Sequence, residues 1–288
     1  IPEIEMPGHS QALLAAYPQL GANADKIYQV ATKWGVSEDV LFPREETFQF
    51  MEDVLTEVME LFPSEFIHVG GDEVPTYQWD RCDECRARMA AEGLADSHAL
   101  QSWFIARIDE FLSAHSRKLI GWDEILEGGL APNATVMSWR GEAGGIAAAK
   151  SGHDAIMTPG TPCYWDHYQS KDPGEPHAIG GFNPVELVYL YNPVPAELSA
   201  DEAKHILGAQ ANLWTEYVLA PEHAEYMILP RQLALAEVLW TGPRRSEDLP
   251  DFRIRATQRS RALKARGFNV APHFLLPESK PFRRREPK

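Results

Sequence analysis

Asp72 and Glu73 are chain neighbours at the end of the run Phe66-Ile67-His68-Val69-Gly70-Gly71-Asp72-Glu73. Two carboxylic acids delivered from the end of a buried strand suit a reaction in which a bond must receive a proton. Phe66, Ile67 and Val69 read as that strand, and the two glycines let the backbone leave it through angles other residues resist. The competing reading is a plain loop carrying two solvated acids, as most Asp-Glu pairs are. Other reactive types recur in the same setting, after apolar runs: Glu5-Met6-Pro7-Gly8-His9, Trp122-Asp123-Glu124, Trp139-Arg140-Gly141 and Trp214-Thr215-Glu216. The stretch from Pro159 to Pro195, too long for a simple connection, adds Tyr164 and Asp166 and is expected to shape a pocket. Acids, one histidine and several aromatics suit a carbohydrate. A pyranose offers a C–H face to aromatic planes and a rim of hydroxyls to carboxylates. No Gly-rich phosphate cradle and no Lys/Arg cluster accompanies these residues.

The elements that must position them are short apolar strands alternating with amphipathic helices, the pattern of parallel β/α units. Strands are expected at 1–4, 66–69, 118–122, 135–139, 155–158 and 206–213, which makes six units. One helix is expected over 47–62, with Phe48, Met51, Leu55, Val58 and Phe62 on one face and Pro63 ending it. A second, capped by Ser97, carries Leu100, Phe104, Ile108, Phe111 and Leu112 at helical spacing, and a third over 222–239 should be kinked or broken by Pro230. The fold class is α/β, a (β/α)8 TIM barrel with about six of its eight units in this chain. In such a barrel the C-terminal strand ends converge on one face, where active sites are built. Since the chain opens on a strand, the two other units are expected upstream. Residues 1–270 then form an N-terminally incomplete catalytic domain, and 271–288 a partly disordered tail, basic over 280–288.

The composition, 44% hydrophobic and 24% charged over 288 residues, is that of an ordinary globular protein, and the formal charge of −15 argues against nucleic acid. No apolar run approaches the length of a membrane span. A neutral or positively charged substrate suits this surface better. Cys82 and Cys85 form a single C-x2-C without the second ligand pair that structural zinc needs, so they read as a surface thiol pair, and no metal is expected.

Six motifs carry a closer resemblance: Ile1-Pro2-Glu3-Ile4-Glu5-Met6-Pro7-Gly8-His9-Ser10, His68-Val69-Gly70-Gly71-Asp72-Glu73, Gly121-Trp122-Asp123-Glu124, Ser138-Trp139-Arg140-Gly141, Tyr164-Trp165-Asp166 and Gln210-Ala211-Asn212-Leu213-Trp214-Thr215-Glu216. In order and spacing they resemble family 20 glycoside hydrolases, the β-N-acetylhexosaminidases, from Ile1 to about Trp240. The resemblance implies an exo-acting enzyme that removes terminal N-acetylglucosamine or N-acetylgalactosamine with retention, without a cofactor. The substrate's own 2-acetamido oxygen is the nucleophile. Adjacency makes physical sense of this, because chain neighbours are poorly placed to clasp a bond from opposite faces as an acid and an enzymic nucleophile must. Glu73 then gives a proton to the leaving group and takes one from water, while Asp72 holds the acetamido N–H and stabilises the oxazolinium. Tyr164 orients the acetamido oxygen, Trp122 and Trp139 wall its pocket, Trp214 lies under the ring, Asp166 and Glu216 accept distal hydroxyls, and His9 tunes Glu73.

Family members carry an Arg on the first barrel strand and a His- and Asp-bearing segment on the second, and neither is present in these residues. The chain alone is therefore expected to be weakly active or inactive. Asp123-Glu124 is the main rival acid pair, ranked lower because it lacks the Gly-Gly exit and suits a helix start. Two other readings remain: a catalytically silent carbohydrate-binding fragment, and a retaining barrel glycosidase with Glu216 as nucleophile. The expected partner is a glycan, with no nucleic acid and no membrane span, and a homodimer is allowed. The polymeric glycans such enzymes meet imply a periplasmic or secreted address.

Overall fold

The computed structural model describes residues 1–22 and 25–275. The chain divides into two compact units, Ile1–Met157 with Val194–Gly208, and Thr158–Pro193 with the residues from Ala209 onward.

The strands in chain order are β1 (Phe66–His68), β2 (Lys118–Trp122), β3 (Thr135–Ser138), β4 (Ala155–Met157), β5 (His167–Tyr168), β6 (Gly180–Phe182) and β7 (Ile206–Ala209). The first unit is built on an open five-stranded sheet in the order β1-β2-β3-β4-β7. β1, β2, β3 and β4 pair in parallel, with Ile67 opposite Leu119, Gly121 opposite Val136 and Met137 opposite Ile156. The expected first strand is a single parallel bridge, Glu3 to His68. Its hydrogen bonds nevertheless run as in a ladder: His68 N–H donates to Pro2 O at 2.9 Å, Ile4 N–H to His68 O at 2.9 Å and Met6 N–H to Val69 O at 3.0 Å. Pro2 has no N–H to give, which shortens the pairing. The strand expected over 206–213 stops at Ala209.

Helices Glu45–Leu61 and Ser97–Ala114 cover this sheet. Phe48, Met51 and Leu55 from one, and Leu100, Phe104, Ile105, Ile108 and Leu112 from the other, are buried. Most of these pack with Ile67, Val69, Leu119 and Val136 into one core. Two details differ from expectation. The cap of the second helix is Asp96, whose carboxylate accepts from Ala99 N–H at 2.9 Å, while Ser97 is turned inward and donates to Asp80. Phe62 lies just past the first helix and is 45% exposed, so it is not part of the buried face.

Cys85 is not a surface thiol. It is 1% exposed in a cluster with Val40, Phe42, Trp79 and Leu100, and Cys82 Sγ accepts from Cys85 N–H at 3.3 Å, capping the helix Asp83–Glu92. The pair is part of a helix start, and burial pushes the Cys85 thiol far above its usual range.

In the second unit, the long segment after Pro159 contains the parallel pair β5–β6 and the short helix Val185–Tyr189. The helix expected over 222–239 is broken into Pro221–Ile228 and Arg231–Thr241 at Pro230, where the ring removes a backbone donor. Tyr189 stacks on Phe252 of the helix Leu249–Ala265 with ring centres 4.1 Å apart, and Val188, Leu235 and Val238 complete that core. The first residues of the expected tail are packed, since Ala271 and Phe274 are buried. The rest of it, 276–288, lies outside the described residues. Among the described residues no helix is long and apolar enough to cross a membrane.

Candidate active site

The glycine exit of β1 has two separate requirements. Gly70 and Gly71 take φ of 71° and 92°, and a Cβ on Gly70 would fall 1.8 Å from Glu5 Oε2. Two residues on, Glu73 itself takes φ of 47°, and His9 takes 48°. Left-handed backbone at non-glycine residues costs free energy and persists where the surroundings enforce it, which is common at functional sites.

These turns bring His9, Asp72 and Glu73 together. His9 Nε2 lies 3.4 Å from Asp72 Oδ2 and 3.2 Å from Glu73 Oε2. The hydrogen bond that His9 donates to Asp72 raises the His9 pKa, burial opposes it, and the charges of both acids add to the rise. Asp72 Oδ1 is buried without a hydrogen-bond partner. An unpaired buried carboxylate oxygen is costly unless a ligand donor meets it.

Behind the cluster stands Glu5, which sequence reasoning left aside. Burial, followed by the charge of Asp72, pushes its pKa well above the usual carboxylate range. His68 beside it is buried and held below the usual histidine range by burial. Its Nδ1 lies 3.0 Å from Gly70 N and 3.3 Å from Glu3 Oε1. Trp122 is 1% exposed, packs edge-on to His68 at 4.8 Å and donates its indole N–H to Glu3 at 3.1 Å.

The rival pair separates into two roles. Asp123 accepts from Trp139 N–H at 2.9 Å and Arg140 N–H at 3.1 Å and is ion-paired with Arg140, so it is consumed in holding the turn after β3. Glu124 accepts from the Trp139 indole at 2.9 Å, and burial pushes its pKa up to about 7. Both begin a short 3-10 turn, Asp123–Leu126. Glu124 and Glu73 share a cleft of about 370 Å³ with Gln101, Glu127 and Arg140.

In the second unit, Tyr164 and Asn212 form a parallel bridge, with Trp165 N–H donating to Asn212 O at 2.7 Å. Asp166 is 5% exposed, and its pKa is pushed up to about 6, chiefly by burial and further by the charge of Glu216. Asp166 Oδ1 is buried and unpaired. Trp214, 37% exposed, and Glu216 stand at the surface of this unit.

Two buried polar residues that the sequence reading did not single out clamp the segment from Tyr164 to His167. Asn183 donates to Gly160 O at 2.7 Å and Tyr164 O at 2.8 Å. Arg231, fully buried, donates to Met227 O at 2.9 Å, His167 O at 3.0 Å, Asn183 O at 3.2 Å and Trp165 O. The signal for Arg231 was a lone cation after Pro230 in an otherwise apolar stretch.

Carboxylates and an imidazole gathered where parallel strands end define an α/β protein of the strand-end catalytic type. Comparison with known proteins makes this specific, because residues 1–243 match the model of the glycosyl hydrolase family 20 catalytic domain. The chain belongs to that family. A β-hexosaminidase of Porphyromonas gingivalis is 52% identical over 280 residues, covering 96% of this chain and 36% of that protein. One of Vibrio furnissii is 38% identical over 240 residues, covering 82% and 39%. The solved chitobiase of Flavobacterium johnsoniae superposes with a TM-score of 0.80 at 31% identity, covering 93% of this chain and 39% of the other. An exo-β-N-acetylglucosaminidase of Vibrio harveyi in complex with N-acetylglucosamine gives 0.81 at 31%, covering 93% and 43%. The chain thus spans less than half the length of each of these relatives.

Proposed function

We propose that this chain carries the proton-transfer and acetamido-binding parts of an exo-acting β-N-acetylhexosaminidase that works by retention with substrate assistance. The observation that carries the reading is the cluster of His9, Asp72 and Glu73, with one buried, unpaired Asp72 oxygen. That oxygen accepts the acetamido N–H and, as the carbonyl oxygen attacks the anomeric carbon, stabilises the positive charge that develops. Holding the internal nucleophile in line makes the attack unimolecular. Glu73, 37% exposed where Asp72 is 14%, reaches the glycosidic oxygen with its proton and then takes one from water.

By the family resemblance, Trp122 and Trp139 of the first unit are assigned to the acetamido group, and Tyr164, Trp214, Asp166 and Glu216 of the second to the acetamido oxygen, the sugar ring and the distal hydroxyls. The unpaired Asp166 oxygen supports its part, since a sugar hydroxyl supplies the missing donor. His9 steadies both acids. The glycans such an enzyme meets favour a periplasmic or secreted address.

The test is the release of nitrophenol from the nitrophenyl β-glycosides of N-acetylglucosamine and of glucose. The N-acetylated substrate should react at least about a hundredfold faster, since only it carries the nucleophile. Equal turnover of the two excludes substrate assistance, and a covalent sugar trapped on Glu216 would establish the enzymic nucleophile instead.

A further inference from the structure

Tyr164 meets Asn212 in a single parallel bridge whose hydrogen bonds are made by the chain neighbours of Tyr164. Asn212 N–H donates to Cys163 O at 2.8 Å, and Trp165 N–H donates to Asn212 O at 2.7 Å. The N–H and C=O of Tyr164 itself therefore point to the other side. There the N–H donates to Gly160 O at 3.2 Å, and the C=O accepts from Asn183 Nδ2 at 2.8 Å. A side chain holds Tyr164 where a ladder would use a strand.

Asn183 is fitted to that task. It is fully buried, and Nδ2 also donates to Gly160 O at 2.7 Å, so one amide ties both ends of the turn that delivers Tyr164. The same nitrogen lies 3.2 Å from His167 Nδ1, and the His167 ring packs on the Tyr164 ring with centres 5.8 Å apart. Asn183 thus reaches Tyr164 twice, at its carbonyl and behind the imidazole against which its ring rests. Its own backbone is fixed as well: its N–H donates to Tyr168 O at 2.8 Å, its C=O accepts from Arg231 at 3.2 Å, and Pro184 favours extended backbone before it. Arg231 holds the carbonyls of Trp165 and His167, on either side of Asp166, so the segment keeps that support when Asn183 is changed.

We propose that Asn183 is a positioning residue for Tyr164, setting where the phenol hydroxyl meets the acetamido oxygen and thereby the rate of its attack. The proposal rests on Tyr164 having that role. A hydroxyl that serves the attacking oxygen matters most in the transition state, so a small displacement costs turnover before it costs binding.

The experiment is a double-mutant cycle in the full-length protein, read as kcat and KM on nitrophenyl N-acetylglucosaminide. Asn183→Ala should lower kcat about tenfold to a hundredfold and leave KM within about twofold. In a Tyr164→Phe background the same change should lower kcat by less than about twofold, because the hydroxyl it positions is gone. Gln169→Ala is the control. Gln169 is another buried amide, donating to Tyr226 O at 2.6 Å and not to the segment, so its loss should leave kcat within about twofold. Additive losses, a loss confined to KM, an unchanged kcat, or an equal loss from Gln169→Ala overturns the positioning role. Should circular dichroism show Asn183→Ala unfolded, Asn183→Ser, which keeps one donor, enters the same cycle; failure of both to fold makes Asn183 a structural residue and overturns the proposal. A parent inactive on this substrate, or a Tyr164→Phe variant as fast as the parent, instead removes the reading of Tyr164 and the proposal with it.

Discussion

At the level of single residues, labour is divided between two chain neighbours. Asp72 keeps a buried oxygen unpaired, and Glu73, on a left-handed backbone, is the more exposed of the two. Glu73→Gln should therefore lower kcat/KM on a disaccharide by about 10²–10⁴-fold, because a sugar leaving group needs the proton. An activated aryl glycoside, whose leaving group departs as an anion, should lose roughly tenfold or less. Steady-state kinetics on both substrates decides it, and a uniform loss would remove Glu73 as the acid. The acid pair was legible in the sequence because two glycines and an apolar run have few other uses. The roles of Glu5 and Glu124 were not, since they arise from burial, which depends on what the rest of the chain folds over them.

Among the elements, the alternation of strands and helices was readable, including the break at Pro230, because period and proline act locally. The Asp96 cap, the inward turn of Ser97 and the burial of Cys85 were not, as each depends on a partner far along the chain or on which of two neighbours faces inward. The same holds for the clamp on Tyr164 to His167. Arg231 spreads one guanidinium over carbonyls of three separate segments, a geometry a lysine ammonium cannot match. Arg231→Met should leave those carbonyls buried and unpaired, at a cost on the order of 3 kcal/mol, and Arg231→Lys should recover only part of it. Urea denaturation monitors both. A loss below about 1 kcal/mol for the Met variant would mean that the clamp is dispensable.

For the molecule as a whole, buried acids link stability to pH. The folded pKa of Glu124, raised from 4.5 to about 7 by burial, means that its protonated form belongs to the fold. Its contribution is fully present below pH 4.5 and lost as pH rises to about 7, a change on the order of 3 kcal/mol. Glu124→Gln keeps an acceptor for the Trp139 indole but cannot ionise. The variant's Tm should match the parent's near pH 4 and exceed it increasingly towards pH 8, whereas a difference independent of pH would mean that Glu124 is not strained by ionisation. Buried His68 and half-buried His167, whose pKa values are lowered by desolvation, act in the opposite sense, losing stability as the pH falls, so the variant-minus-parent difference is the informative quantity. The central claim, that the nucleophile belongs to the substrate, has a more direct test. Nitrophenyl glycosides whose acetamido methyl carries none, one, two or three fluorines differ mainly in the nucleophilicity of the carbonyl oxygen. Measured as kcat/KM on the full-length protein, the rate should fall at each added fluorine, by about tenfold or more across the series. A rate indifferent to fluorination would contradict substrate assistance and return the nucleophile to the enzyme.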